Sequence, residues 1–178
     1  MLDNTKLTEV IAQRHQELDE LFLLHQEAIL LEKFDAATKL LSCFKELHAL
    51  HVGFEDKQLI PKLDGLVNQR RWPASLYTSE HAKIHELMEE TEKNLLSLSK
   101  GQLSNQDLRR EIIALLDKEK TFKGLCEHHQ EREEKGIFPE LDKQTDEKWR
   151  IEIIKPFLKE WNCCMKSTTE IVNGINFP

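Results

Sequence analysis

Apolar residues recur along most of the chain at intervals of three and four, the spacing that lines one face of an α-helix. Val10, Leu18, Leu21, Phe22, Leu24 and Ile29 form the first such stripe, which predicts a helix from just after Asp3–Thr5 to about Lys33. Asp35 reads as the N-cap of a second helix carrying Leu40, Leu41, Phe44, Leu47 and Leu50, with Pro61 expected to end or kink it because proline lacks an amide donor. The segment from Leu63 to Pro73, with Gly65, Asn68 and Trp72-Pro73, reads as a connection. A third helix is predicted from about Ala74 to Ser99, stopped by Gly101, a residue able to adopt the left-handed cap conformation. Ser104-x-x-Asp107 is a capping signal for a fourth, which passes Ile112, Ile113, Leu116 and Leu125 and ends at Pro139. After Thr145 the helical spacing returns, broken by Pro156, and predicts a fifth helix, kinked or split, that covers an end or side of the others.

Composition supports this reading and narrows it. Charged residues make up 32% of the 178, against only six glycines and five prolines, which suits long solvent-facing helices and argues against an all-β fold. The expectation is therefore all-α: a single domain over 1–178, with an up-down four-helix bundle over about 5–141 and a C-terminal helical extension over about 145–174. The formal charge of −7 without a basic block disfavours nucleic acid and anionic membranes as partners. The N-terminal stretch lacks an apolar signal core, and nothing approaches the roughly 18 apolar residues that span a bilayer, so a cytoplasmic protein is expected. Cys43, Cys126, Cys163 and Cys164 show no C-x-x-C spacing and read as reduced thiols, the adjacent pair being ordinary thiols on the last helix.

One pattern occurs twice: HVGFEDKQLIPKL at 51–63 and HQEREEKGIFPEL at 129–141. Both copies read His-x-x-x-Glu, an acidic residue, an apolar pair, Pro, x and Leu. Positions i and i+4 share a helix face, so each copy aims an imidazole and a carboxylate at one point. A weaker similarity aligns RHQELDEL at 14–21 with EHAKIHEL at 80–87, pairing His15 with His81 and Asp19 with His85. The chain thus reads as two helical hairpins, each with a histidine on its first helix and His-x-x-x-Glu on its second. Packed antiparallel, they would bring nitrogen and oxygen ligands together at mid-height. Imidazoles with carboxylates and no thiolate suit iron, manganese or zinc, and carboxylates able to bridge favour two metals over one.

On these residues the chain resembles the hemerythrin-like family, including its HHE cation-binding branch, over about residues 10–141. The resemblance implies a non-heme di-iron centre, oxo- or hydroxo-bridged as well as carboxylate-bridged. Its candidate ligands are His15, His51, Glu55, His81, His85, His129 and Glu133. By that likeness His81, His85 and His129 would hold one iron, His15 and His51 the other with an open position for dioxygen, and Glu55 and Glu133 would bridge. Two departures point toward the HHE branch: the second copy has His-x-x-x-Glu where oxygen carriers have His-x-x-x-x-Asp, and the gap before it, 129 − 85 = 44 residues, is longer. His85 is the least secure ligand, since a four-histidine branch would leave it outside the site.

Several neighbours receive expectations of their own. His48 and Cys126 lie one turn before the motif histidines, and Tyr77 one turn before His81, so each is a candidate to tune or shield the centre. Leu18, Phe22, Leu47 and Phe54 are expected to keep water away. His25 and His128, like His48 if it is not near the metals, read as exposed or ordinary polar residues. Asp56 and Glu134, rotated about 100° from the bridging candidates, are expected to solvate or salt-bridge the helix surface. The functional expectation is a di-iron protein that binds dioxygen or another small diatomic ligand as carrier, store or sensor, without a catalytic cycle. Alternatives are a nitric oxide or peroxide stress response, or iron–sulfur cluster repair, and a metal-dependent regulatory interaction module.

Overall fold

The structure is a computed structural model that describes residues 5–66, 72–101 and 103–175. Its helices are α1 (Leu7–Leu30), α2 (Phe34–Phe54), α3 (Ile60–Asp64), α4 (Ala74–Lys100), α5 (Asn105–Lys135), α6 (Ile137–Gln144) and α7 (Glu147–Gly174). A π-helical turn, Glu55–Leu59, joins α2 to α3, and the described residues contain no strand. The four long helices pack in a ring, α1 on α2, α2 on α4, α4 on α5 and α5 back on α1, which is the predicted bundle. Helix α5 shows why the sequence folds this way. It buries Ile112, Leu115, Glu119, Phe122, Cys126, His129 and Glu133, a strict alternation of three and four that keeps one seam facing inward. Ile113 falls off that seam and is exposed.

Most helix ends fall where the sequence places them, with instructive exceptions. Ser104 accepts from the Asp107 amide at 3.3 Å, the predicted cap of α5. Asp35 lies inside the first turn of α2 rather than at its cap, where a negative charge still suits the positive end of the helix dipole. The left-handed residue is Glu32, with φ 57°, which lets the Lys33 amide donate to the Ala28 carbonyl at 2.8 Å and reverses the chain between α1 and α2. Gly101 is extended instead, with φ −72°. Asp3 and Asn68 lie outside the described residues.

Each proline of the repeat follows an irregular turn that interrupts its helix, and each lies inside the helix after that turn rather than at a helix end. A proline ring at 61 would collide with the Lys57 carbonyl in a regular α-helix, and the π turn immediately before it relieves that clash so that helix resumes as α3. In the second copy α5 stops at Lys135, Gly136 turns the chain with φ −124° and ψ −87°, and Pro139 enters the first turn of α6, where its missing amide is harmless. A Cβ on Gly136 would stand 2.7 Å from both the Arg132 carbonyl oxygen and the Tyr77 hydroxyl, so the close turn needs glycine. The apolar tails Leu59, Ile60 and Leu63, and Ile137, Phe138 and Leu141, are all buried where α3 meets α6. The repeated Pro-x-Leu thus supplies a plug that closes one end of the bundle against water.

Helix α7 is one unbroken helix with Pro156 inside it, neither split nor divided into two segments. It packs on α2, where the Phe157 ring stacks on Phe54 at 4.3 Å, and reaches α1 through Trp161. That indole is fully buried, donates to Glu17 Oε2 at 2.6 Å and lies under the Arg14 guanidinium at 5.7 Å. Trp161→Ala is expected to destabilise the metal-free protein by about 3–5 kcal/mol, the usual loss for a buried large aromatic, as read by urea unfolding. A loss below about 1 kcal/mol would mean that α7 docks without it. Cys163 is exposed and Cys43, Cys126 and Cys164 are buried, all as free thiols.

Candidate metal centre

Six of the seven predicted ligands meet inside the bundle. His15, His51, Glu55 and Glu133 bring one ligand atom each to within 4.8 Å of one another, and so do Glu55, His81, His129 and Glu133. All six are buried, and the two groups share both carboxylates. Glu133 reaches His129 Nε2 at 2.9 Å, His15 Nε2 at 3.4 Å and His81 Nε2 at 3.7 Å. Glu55 lies 3.2 Å from His81 Nε2 and 3.4 Å from His51 Nε2. The π turn begins at Glu55, so the residue that bridges the groups also starts the irregular turn.

These short contacts leave several polar atoms without an aligned hydrogen-bond partner. Both oxygens of Glu55, Glu133 Oε2, His81 Nε2 and His129 Nε2 are buried without an aligned partner. Each such group ordinarily costs about 1–3 kcal/mol, so five of them at one point require an explanation. Lone pairs aimed at common points between the side chains, rather than at each other, provide it. Two cations fit this donor set, each with two imidazoles and a share of two carboxylates.

The outer nitrogens of the histidines are tied to carboxylates across helix boundaries. His15 Nδ1 is 2.8 Å from Glu134 on α5, His81 Nδ1 is 2.9 Å from Asp56 in the π turn, and His129 Nδ1 is 2.9 Å from Glu80 on α4. Arg132 in turn holds Glu80, its Nε donating at 3.2 Å. Such bonds put the proton on Nδ1, turn the Nε2 lone pair inward and make it a stronger donor to a metal. Asp56 and Glu134 therefore form the salt bridges expected of them, but to buried imidazoles that they orient rather than along the helix surface, and sequence reasoning missed Glu80. His51 is the exception, for its Nδ1 is buried without a partner. The alignment of 14–21 with 80–87 accounts for this. Arg14 stands where the other hairpin has Glu80, and it pairs with Glu17 at 2.9 Å instead.

His85 is not brought to the site. The inward stripe of α4 runs through Tyr77, His81, Ile84 and Met88, and His85, one residue past Ile84 and so about 100° round the helix, is exposed. His85→Ala is expected to leave the metal content of the protein unchanged, while His81→Ala lowers it; metal analysis of the two purified variants decides between them. Equal losses would return His85 to the ligand set.

The remaining histidines divide differently from expectation. His128 is exposed, but His25 is fully buried, its Nδ1 2.8 Å from the Ala37 carbonyl oxygen and its Nε2 3.1 Å from the buried Glu119, which also accepts from Gln26. That cluster pins α1 to α2 and α5. His48 is buried too, and together with Cys126 it lines a narrow cavity of about 20 Å³. The inner end of the cavity touches His15, His51 and His129, its walls include Leu18, Phe22 and Phe122, and Asp19, Lys123 and Gln130 stand at the α1–α5 seam. Leu47 and Phe54 are buried as expected but belong to the core rather than to the cavity wall. Tyr77 packs edge-on to His129, with ring centroids 6.4 Å apart.

The electrostatics follow from this crowding. Burial alone would lower the histidine pKa values, but hydrogen bonds and the charges of Glu133, Glu134 and Glu55 outweigh it, raising His15 to about 9. His129 rises to about 9 and His81 to about 11 for the same reason, through their own carboxylate partners. Burial and the charge of Glu133 push Glu55 up to about 7. Glu133, despite burial, is held well below the usual carboxylate range by the three histidines around it. In His48 burial prevails, helped by the neighbouring histidine charges, and the pKa falls to about 3. The site is thus poised to exchange protons for cations.

A helical bundle with a buried histidine–carboxylate site for cations defines a metal-binding helical protein. The hemerythrin HHE cation binding domain matches residues 6–141, and the chain belongs to that family. No curated protein and no solved structure matches it. None of its described helices is long and apolar enough to cross a membrane.

Proposed function

We propose that the protein holds two non-heme irons through His15, His51, His81, His129, Glu55 and Glu133 and binds dioxygen as a carrier, store or sensor. The observation that carries the reading is the pair of four-residue groups sharing two carboxylates, beside a cavity of about 20 Å³ that reaches three of the histidines. A space of that size admits about one small molecule. When bound, the metal pair supplies electrons that a diatomic ligand can take up. Around it, Glu134, Asp56 and Glu80 orient the imidazoles, the α3–α6 plug closes one end, and Leu18, Phe22 and Phe122 limit water at the cavity.

Protein purified without added metal should contain about two irons per chain, and its reduced form should show a visible absorption change that reverses when oxygen is removed. Immediate, irreversible oxidation would remove the carrier reading. A second reading, nitric oxide or peroxide chemistry or iron–sulfur repair of the HHE type, draws support from the exposed His85, which leaves four histidines, and from Glu133 at i+4. Turnover of nitric oxide or peroxide well above that of free iron would favour it.

A further inference from the structure

We propose that His48 is a ligand-binding residue whose imidazole hydrogen-bonds the small molecule held in the cavity beside His15 and His51. This rests on the reading that the cavity receives such a ligand. The other five buried histidines each have a ring nitrogen in contact with a named partner: Glu134 for His15, Ala37 and Glu119 for His25, His15 for His51, Asp56 for His81 and Glu80 for His129. His48 is 7% exposed, and among the described residues none hydrogen-bonds its ring. Its ring nitrogens are not among the side-chain polar atoms sealed inside the protein, and the residue lines the cavity, so a small molecule entering there can bond them.

The placement says where that partner lies. One turn before His51 on α2, the ring stacks on Phe44 at 5.7 Å and stands 6.3 Å from the His51 ring, while lining the same cavity as both. Its neighbours along the wall, Leu18, Phe22 and Phe122, offer no hydrogen bond. The polar groups at the mouth have other roles or are far from the histidines in character: Gln130 donates to Asp19 at 3.1 Å, and Lys123 is exposed. A neutral imidazole carries one N–H donor and one acceptor, so it suits a small ligand that gains negative charge.

Azide, a small anion with a sharp vibrational band, tests this on the iron-loaded protein. In His48→Leu, azide is expected to bind roughly tenfold or more weakly, and in His48→Gln, which keeps an N–H donor, to within about threefold of the parent. The azide band should shift between H₂O and D₂O in the parent and the Gln variant but not in the Leu variant. A purely structural role for His48 would not produce that isotope pattern. If His48→Leu fails to load iron, the Gln variant carries the test: an absent isotope shift there overturns the assignment. Parent protein that binds azide while both variants match it in affinity and isotope shift overturns the role of His48 alone. Parent protein that loads iron and binds no azide overturns the ligand-cavity reading and this assignment together.

Discussion

Glu133→Ala is expected to abolish paired metal binding and to destabilise the metal-free protein as well, whereas Glu55→Ala should do only the first. Both carboxylates belong to both ligand groups, so losing either removes a donor from each cation, and metal content should fall from about two per chain to below one. The metal-free states separate them. Glu133 is ionised amid His15, His81 and His129, at 3.4, 3.7 and 2.9 Å, and removing it strands buried positive charge. Breaking such a buried pair costs about 3–5 kcal/mol. Glu55 is disfavoured as an anion by burial and by Glu133, so its pKa rises to about 7 and its removal relieves strain as much as it loses contacts. Metal analysis and urea unfolding in chelator, on the two variants side by side, check both parts. Equal stability losses would show that the carboxylates share the positive charge evenly.

How much of this was legible in the sequence depends on which geometry a residue obeys. The bundle and the six clustered side chains follow from spacing within single helices: His51 with Glu55 and His129 with Glu133 share a face by the arithmetic of one turn. The missed partners obey geometry between helices. Asp56 is rotated away from the point shared by Glu55 and Glu133, as its spacing says, but that rotation points it at the α2–α4 seam, where His81 presents Nδ1 at 2.9 Å. Glu134 meets His15 in the same way across the α1–α5 seam. The signal was present, since the acidic residue recurs after both bridging positions, yet a single-helix reading assigns it to solvent.

His85 and His25 failed for the complementary reason. An i+4 histidine after His81 looks inward on an ideal wheel, but the buried stripe of α4 continues through Ile84 and Met88, and His85 is left at its edge. From sequence His25 reads as an exposed or ordinary polar residue, because one polar residue says nothing of a partner 119 − 25 = 94 positions away. The prolines act through local strain: the π turn before Pro61 and the turn at Gly136 occupy equivalent places in the two copies, 136 − 58 = 78 residues apart, and after each interruption a new helix runs across the proline. Each copy thereby swings its apolar tail back over the bundle end. Ligand and plug are thus built from one contiguous motif, which explains why the repeat extends beyond the His-x-x-x-Glu core.

Raising the pH is expected to strengthen metal binding while weakening the metal-free fold. His15 and His129, raised to about 9, and His81, raised to about 11, bind protons in the folded metal-free protein that the unfolded chain releases near 6.5. Their contribution to stability is complete below about pH 6.5 and is lost as pH climbs through 9 and then 11. Glu55, raised to about 7, adds a loss of the same sign between its ordinary value near 4.5 and 7. Metal-free protein should therefore melt roughly 5–10 °C lower at about pH 10 than at about pH 7, the shift that ~2–4 kcal/mol produces in a chain of this size. A metal takes the lone pairs that those protons occupy, so loading releases protons and the loaded protein should lose far less over the same range. The gap in melting temperature between loaded and metal-free protein then widens with pH, as paired calorimetric scans would record. A metal-free melting temperature flat across that range would mean that the inward histidines are already neutral, and that cations enter without displacing protons.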